Sequence, residues 1–254
     1  MADQYSAVKI FRHTDILEKM EKGERFAPLY IRMKPANTCN HHCAYCSYGQ
    51  GQADMQTAVR DEINHLDVIP WPKMQEILYD ISDMGVKAVT FSGGGEPLTY
   101  PHIAECAAYL LEHHIDLALI SNGQLLSGKI AEPFYHAKWV RISFDSIDAD
   151  VYTRIRNISH RAFEQVCKNI QDFAANKDEE CVLGINFVIG KDNYDRVYEA
   201  AKILKGFGVN NVKFAALIDN KPDYHRDIKD VVIEQIHRAI ADFGDEHFKI
   251  INNY

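Results

Sequence analysis

Long apolar runs are missing from this sequence. No segment approaches the roughly 18 consecutive apolar residues that a membrane-crossing helix requires. The first 25 residues carry His13, Asp15, Glu18, Lys19, Glu21 and Lys22 and no apolar stretch that would form a signal-peptide core, so a cytoplasmic protein with no membrane partner is expected. A surplus of positive charge is missing too. Lys and Arg number 28 against 36 Asp and Glu, a net charge of −8, and neither half holds a basic run, which argues against nucleic acid as the main partner. Cysteine is scarce: six in 254 residues cannot build a disulfide scaffold. Fixed-period repeats and low-complexity tracts are absent as well. With 46% hydrophobic residues the chain is not disordered, and its length suits either two small domains or one α/β barrel-like domain with a large core, of which one domain is expected.

What is present is an alternation of β-rich runs and helix-period segments. The runs fall at residues 29–33, 88–91, 116–120, 139–144, 182–189 and 211–216. Between them lie apolar stripes at helical spacing: Met74, Ile77, Leu78 and Ile81; Ile103, Cys106, Ala107, Leu110 and Leu111; Phe163, Val166, Ile170 and Phe173. Pro70 and Pro72 open the first of these helices and Gly85 closes it, while Gly206 and Gly208 close the helix that starts near Tyr194. A last helix is expected with Ile233, Ile236, Ile240 and Phe243 on one face, followed by the short run 248–251. Six strands and about six helices predict an α/β fold, a partial (β/α)6 barrel with parallel strands. Residues 1–27 are read as an N-terminal helical extension, with Ile10, Leu17 and Met20 at helical spacing, and 28–254 as the core domain. The polar stretch 219–230 reads as a surface loop.

Three of the six cysteines, Cys39, Cys43 and Cys46, form a C-x3-C-x2-C run just after the first expected strand. Three thiolates can hold three irons of a cubane cluster and leave the fourth open to a ligand. The carboxyl ends of barrel strands are also where active sites are built. A structural zinc site completed by His41 or His42 uses the same soft ligands, and an iron–sulfur electron carrier would need a fourth thiolate near these three. Both remain open on spacing alone.

With Tyr45 at the aromatic position, the run resembles the hallmark of the radical S-adenosylmethionine (radical SAM) enzymes. That resemblance implies a [4Fe–4S] cluster on Cys39, Cys43 and Cys46, with S-adenosylmethionine (SAM) chelating the open iron. It further implies reductive cleavage of SAM to a 5′-deoxyadenosyl radical that abstracts hydrogen from a substrate. Further motifs follow in the family's order as far as about Leu217. Gly94, Gly95 and Glu96, in Ser92-Gly93-Gly94-Gly95-Glu96-Pro97, match the segment that holds the SAM amino group. Asn122, in Ser121-Asn122-Gly123, matches a position near the SAM site. Ser143 and Asp145 match residues close to the ribose and methionine moieties, and Arg156, preferred over Arg154, matches the contact to the SAM carboxylate. The strand at 182–189 corresponds to the region that lines adenine, but the match is loose; Asn186 faces either the lumen or the core.

Each segment also has a plain structural reading. A Gly-rich turn after a strand is commonly only a turn, and no G-K-[ST] follows to make it a P-loop. Asn-Gly is a turn dipeptide, Asp145-Ser146 suits a helix cap, and either Arg suits a solvated surface. Cys106 and Cys167 on outer helices and Cys181 at a strand start are expected to be buried small hydrophobes with no second metal site. His113, His114 and His136 are expected to face solvent. Within the superfamily the triple-glycine and C-N-H-x-C-x-Y-C stretches look most like the branch that often carries a SPASM or twitch extension. The branch modifies peptides, sugars or other small metabolites. An extension would begin where this chain ends, at Tyr254, so a member without auxiliary clusters or a core domain alone is expected. A reductant such as flavodoxin or ferredoxin is the implied electron donor.

Overall fold

A computed structural model of the protein describes residues 9–48, 64–218, 221 and 223–254. A 3-10 turn at Lys9–Arg12 leads into α1 (Thr14–Glu21). Strands and helices then alternate: β1 (Tyr30–Met33), α2 (Trp71–Asp83), β2 (Ala88–Phe91), α3 (Ile103–Glu112), β3 (Asp116–Ser121), the single turn α4 (Gly128–Ala131), β4 (Trp139–Ser143), α5 (Ala149–Arg156), α6 (His160–Asn176), β5 (Val182–Ile189), α7 (Val197–Gly206), β6 (Asn211–Ala216), α8 (Lys229–Phe243) and β7 (Lys249–Asn253).

All seven strands belong to one parallel sheet whose spatial order is the sequence order. This is the α/β partial barrel the alternation implied, with one strand more than six. Residues 249–253 pair parallel with β6, Val212 opposite Ile250 and Lys213 opposite Ile251. The run Lys-Ile-Ile-Asn-Asn has neither alternation nor a continuous apolar stretch, so only its pairing with β6 makes it a strand.

The core lies between the sheet and the outer helices. Residues at every second strand position, among them Val89, Leu117, Val140, Leu183, Ile185 and Val212, are buried against Met74, Leu78 and Ile81 of α2, Ile103, Cys106 and Leu110 of α3, and Val166, Ile170 and Phe173 of α6. These are the expected stripes. Two others differ. On α8 the buried face is Val232, Ile236 and Ala239, one step round from the stripe expected, and Ile240 is exposed; with apolar residues at 231, 232, 233, 236, 239, 240 and 243, the helix offers two faces and packing selects one. On α1 Ile16 is buried and Met20 is exposed, so the spacing of Leu17 and Met20 does not mark its inner face. Of the stretch 219–230, residues 219, 220 and 222 lie outside the described residues. The remainder is anchored by buried Ile228 and by His225, which bonds Tyr254 Oη and Leu217 O at 2.8 Å each, and it passes into α8 at Lys229. Among the described residues no helix is long and apolar enough to cross a membrane.

Candidate functional site

Two loops that leave the carboxyl ends of β1 and β2 run in contact. Gly95 N–H donates to Ala36 O (3.0 Å) and Glu96 N–H to Thr38 O (2.8 Å). A Cβ at Gly95 would lie 1.8 Å from Thr38 O, and Gly94 holds a φ of +71°. The glycines therefore serve first to let this backbone approach the chain that enters the cysteine loop, a contact no side chain permits. They also line, with that loop, a cavity of about 410 Å³.

Glu96 forms one wall of the cavity and is buried. Its Oε1 accepts from Ser121 Oγ (2.7 Å) and Leu98 N–H (3.1 Å), and its Oε2 from Asn122 N–H (2.7 Å). It is thus the cap of the short turn that follows it and also an anchored carboxylate at the end of β3. Burial pushes its carboxyl above the usual range; the three donors and Arg156 pull it back. Asn122 turns its amide to the cysteine loop, donating from Nδ2 to Asn40 Oδ1 (2.7 Å) and accepting Gln124 N–H (3.0 Å). Asn169, in the buried stripe of α6, supports this turn by donating to Gly123 O and Gln124 O at 2.9 Å each.

The cysteine loop is seated on the end of α5. His42 N–H and Ala44 N–H donate at 3.0 Å to Arg156 O and Ile155 O, carbonyls that a helix terminus leaves without internal partners. Asn157, in the left-handed region at φ +50°, ends the helix there. Arg156 itself is buried. It pairs with Asp145 and reaches Cys43 Sγ from Nη1 at 3.5 Å. Asp145 also accepts from Tyr45 Oη and, at Oδ1, from Val188 N–H (3.1 Å). Asn193 locks the backbone behind it, donating to Asp145 O (2.6 Å) and Val188 O (2.8 Å). The helix cap is neither Asp145 nor Ser146 but Asp148, which accepts Val151 N–H at 2.9 Å.

Cys39, Cys43, Cys46, Gly94, Gly95, Glu96, Asn122, Ser143 and Arg156 therefore meet around one cavity, and Tyr45 and Asp145 stand behind its wall. Arg154 is elsewhere, exposed and paired with Asp192. Burial raises the Cys39 thiol to about 11 and raises Cys43, against the pull of Arg156. Burial, then Arg156, lower His41 to about 4, so its imidazole is neutral near pH 7 and adds no charge. His41 Nδ1 and Arg156 Nε are buried without a protein partner. Three soft thiols, two of them accepting N–H donors from His41 and Arg156, on a cavity with unpartnered buried nitrogens, fit an iron–sulfur cluster with an organic ligand beside it. Among the described residues no three His, Cys, Asp or Glu side chains are gathered to hold a single metal ion. Cys106 and Cys181 are buried and Cys167 is half-buried, with burial raising them to about 12, 11 and 12. Asn186 stands opposite Ser143 in the register of β4 and β5, and its carbonyl accepts Phe144 N–H at 3.0 Å. The roles of Ser121, quoted above only as part of its motif, and of Asn169 and Asn193 were not legible in the sequence. The bonds that tie them to the site span long stretches of chain, 25 residues from Ser121 to Glu96, 45 and 46 from Asn169 to Gln124 O and Gly123 O, and 48 from Asn193 to Asp145 O, and only Asn169, a polar residue inside an apolar stripe, gave a local signal.

The cavity lies at the carboxyl edge of a parallel partial barrel, the edge at which barrel enzymes build their active sites. Residues 33–191 match the Radical SAM superfamily, and the chain belongs to that superfamily. It is 25% identical over 186 residues to the AdoMet-dependent heme synthase of Methanosarcina barkeri, covering 72% of this chain and 48% of that protein. It is 24% identical over 196 residues to the mycofactocin maturase MftC of Mycobacterium tuberculosis, covering 76% and 46%. The chain thus spans about half the length of these curated relatives. Among solved structures, Streptococcus suis SuiB bound to S-adenosylmethionine shares the fold with a TM-score of 0.70 at 16% identity, over 95% of this chain and 54% of SuiB.

Proposed function

We propose that residues 28–254 form a radical SAM core that holds a [4Fe–4S] cluster on Cys39, Cys43 and Cys46 and binds SAM beside it, with residues 1–27 as an extension. The observation that supports this most is the convergence of three thiols, an anchored carboxylate and a buried guanidinium on one cavity. When bound, the cluster supplies the electron that cleaves SAM to methionine and a 5′-deoxyadenosyl radical, which abstracts hydrogen from a substrate. Glu96, held by three donors, faces the SAM ammonium with its position fixed in advance. Arg156 places positive charge against Cys43 and faces the SAM carboxylate. Asp145 holds Arg156 in place, and Tyr45 ties the cysteine loop to Asp145. Ser143 and the backbone at Gly94, Gly95 and Asn122 shape the remaining wall.

The cysteine and glycine motifs favour the branch that modifies peptides, sugars or small metabolites, with flavodoxin or ferredoxin as reductant in the cytoplasm. SuiB has been solved bound to its precursor peptide SuiA, which fits that branch. The test is the metal content and spectrum of anaerobically purified protein. About four irons per chain and broad visible absorbance are expected, with both lost in Cys43→Ala. Colourless wild-type protein with one zinc per chain, or unchanged iron in Cys43→Ala, contradicts the reading.

A further inference from the structure

The hydrogen bond from His41 N–H to Cys39 Sγ, 3.4 Å long, belongs to a peptide group that is gripped on both sides. Asn40, before it, accepts the Nδ2 amide of Asn122 at its Oδ1 (2.7 Å). His41, after it, is only 3% exposed, and its Nε2 lies 2.8 Å from Gln124 Oε1. A carboxamide oxygen only accepts, so Nε2 carries the proton and donates. This is the ring's one hydrogen bond among the described residues, because Nδ1 is buried without a partner. The direction of the imidazole, and with it the peptide that aims N–H at Cys39, therefore depends on Gln124.

Both grips come from a single turn just beyond β3. Asn169 of α6, buried, donates from Nδ2 to the carbonyls of Gly123 and Gln124 at 2.9 Å each, and Gln124 N–H donates to Asn122 Oδ1 at 3.0 Å. The Gln124 carboxamide is thus carried on a backbone fixed to the core. His41 lines the cavity, whereas Gln124 stands behind it, so Gln124 acts on the site through His41. Hydrogen bonds to the sulfurs are among the factors that set the reduction potential of an iron–sulfur cluster. Reduction adds negative charge that spreads onto the sulfurs, and an N–H donor stabilises the more highly charged form more strongly. A donor held in place raises the potential, and a donor set loose lowers it. A higher potential brings a cluster within reach of a weaker electron donor.

We infer that Gln124 is a positioning residue for the cluster: through His41 it fixes the N–H on Cys39 Sγ and so holds the reduction potential up. The inference rests on the cluster reading of the three cysteines above. Its test is a redox titration of cluster-loaded, SAM-free protein followed by electron paramagnetic resonance. Gln124→Met removes the acceptor with little change in volume and none in charge, and His41→Leu removes the ring's donor. Each is expected to disfavour reduction about three- to tenfold, a midpoint lower by about 30–60 mV for one electron, with wild-type iron content. His41→Gln places an amide N–H where Nε2 stands and is expected to restore the wild-type potential. The double substitution is expected to fall no lower than the single ones, because both break one link. Should His41→Leu load iron poorly, Gln124→Met, at a half-buried position, reads the same shift. A potential within threefold of wild type in Gln124→Met, additive shifts in the double substitution, or no recovery in His41→Gln overturns the inference. Loss of iron from Gln124→Met overturns it too, since the contact would then be a structural one. Wild-type protein that holds no iron would instead fail the cluster reading, and the inference with it.

Discussion

Among single residues, Glu96 carries the proposed contact to the SAM ammonium, through a carboxylate fixed by Ser121, Leu98 and Asn122. An amide in its place must put NH2 where one carboxylate oxygen now accepts a hydrogen bond, and at Oε2 it would face the Asn122 N–H. In the proposed site Glu96→Gln therefore removes the charge offered to the SAM ammonium and sets two donors against each other. A loss of about 1.5–3 kcal/mol, about ten- to a hundredfold in SAM affinity, is expected by equilibrium binding to cluster-loaded protein. The same residue sets a pH dependence. Burial raises its carboxyl, so its protonated form appears above the ordinary carboxylate range, and only the ionised form pairs with an ammonium. SAM affinity is expected to fall as the pH drops through that raised value, and to lose this dependence in Glu96→Gln; affinity that grows on acidification would remove Glu96 from the SAM site. Arg156 and Glu96 were legible because each sits in an ordered motif. The role of Asp145 was not: its carboxylate is turned to Arg156, Tyr45 and Val188, an orientation set by residues 11 to 100 positions away.

At the scale of elements, the glycine run and α5 position the cysteines. Gly95→Ala would force a Cβ into the backbone of Thr38, a neighbour that cannot swing aside as a side chain would. The expected result is ~1–3 kcal/mol or more of lost stability, a melting temperature lower by several degrees, and impaired iron loading, because the displaced loop leads into Cys39. Gly85→Ala is the control. Gly85 has a φ of +75° but nothing within 4 Å of its Cβ position, so it is expected to lower stability by ~1 kcal/mol with iron content unchanged. Equal effects of the two substitutions on iron loading would show that the glycine contact does not position the loop. The sequence displayed the helices well where one apolar stripe stood alone, as on α2, α3 and α6. On α8 adjacent apolar residues offered two stripes, and only the tertiary packing of Val232, Ile236 and Ala239 separates them. β7 showed only as the short run 248–251, and its pairing with β6 makes it a strand over Lys249–Asn253.

At the scale of the molecule, seven parallel strands in sequence order bring the ends of β1 through β5 to one edge, and every motif residue lies at or beyond those ends in the loops that leave them, except Arg156, which closes α5. This topology is why motifs spread over more than a hundred residues become one cavity. It also separates that cavity from Cys106 and Cys181, which are buried elsewhere in the core. The central claim is that the cavity cleaves SAM, and its most direct measurement is 5′-deoxyadenosine formed by the reconstituted 254-residue chain after reduction, read beside the iron count. The account predicts about four irons per chain and 5′-deoxyadenosine from the wild type, with none from Cys43→Ala. Intact SAM in reduced protein that carries its full iron complement would contradict it.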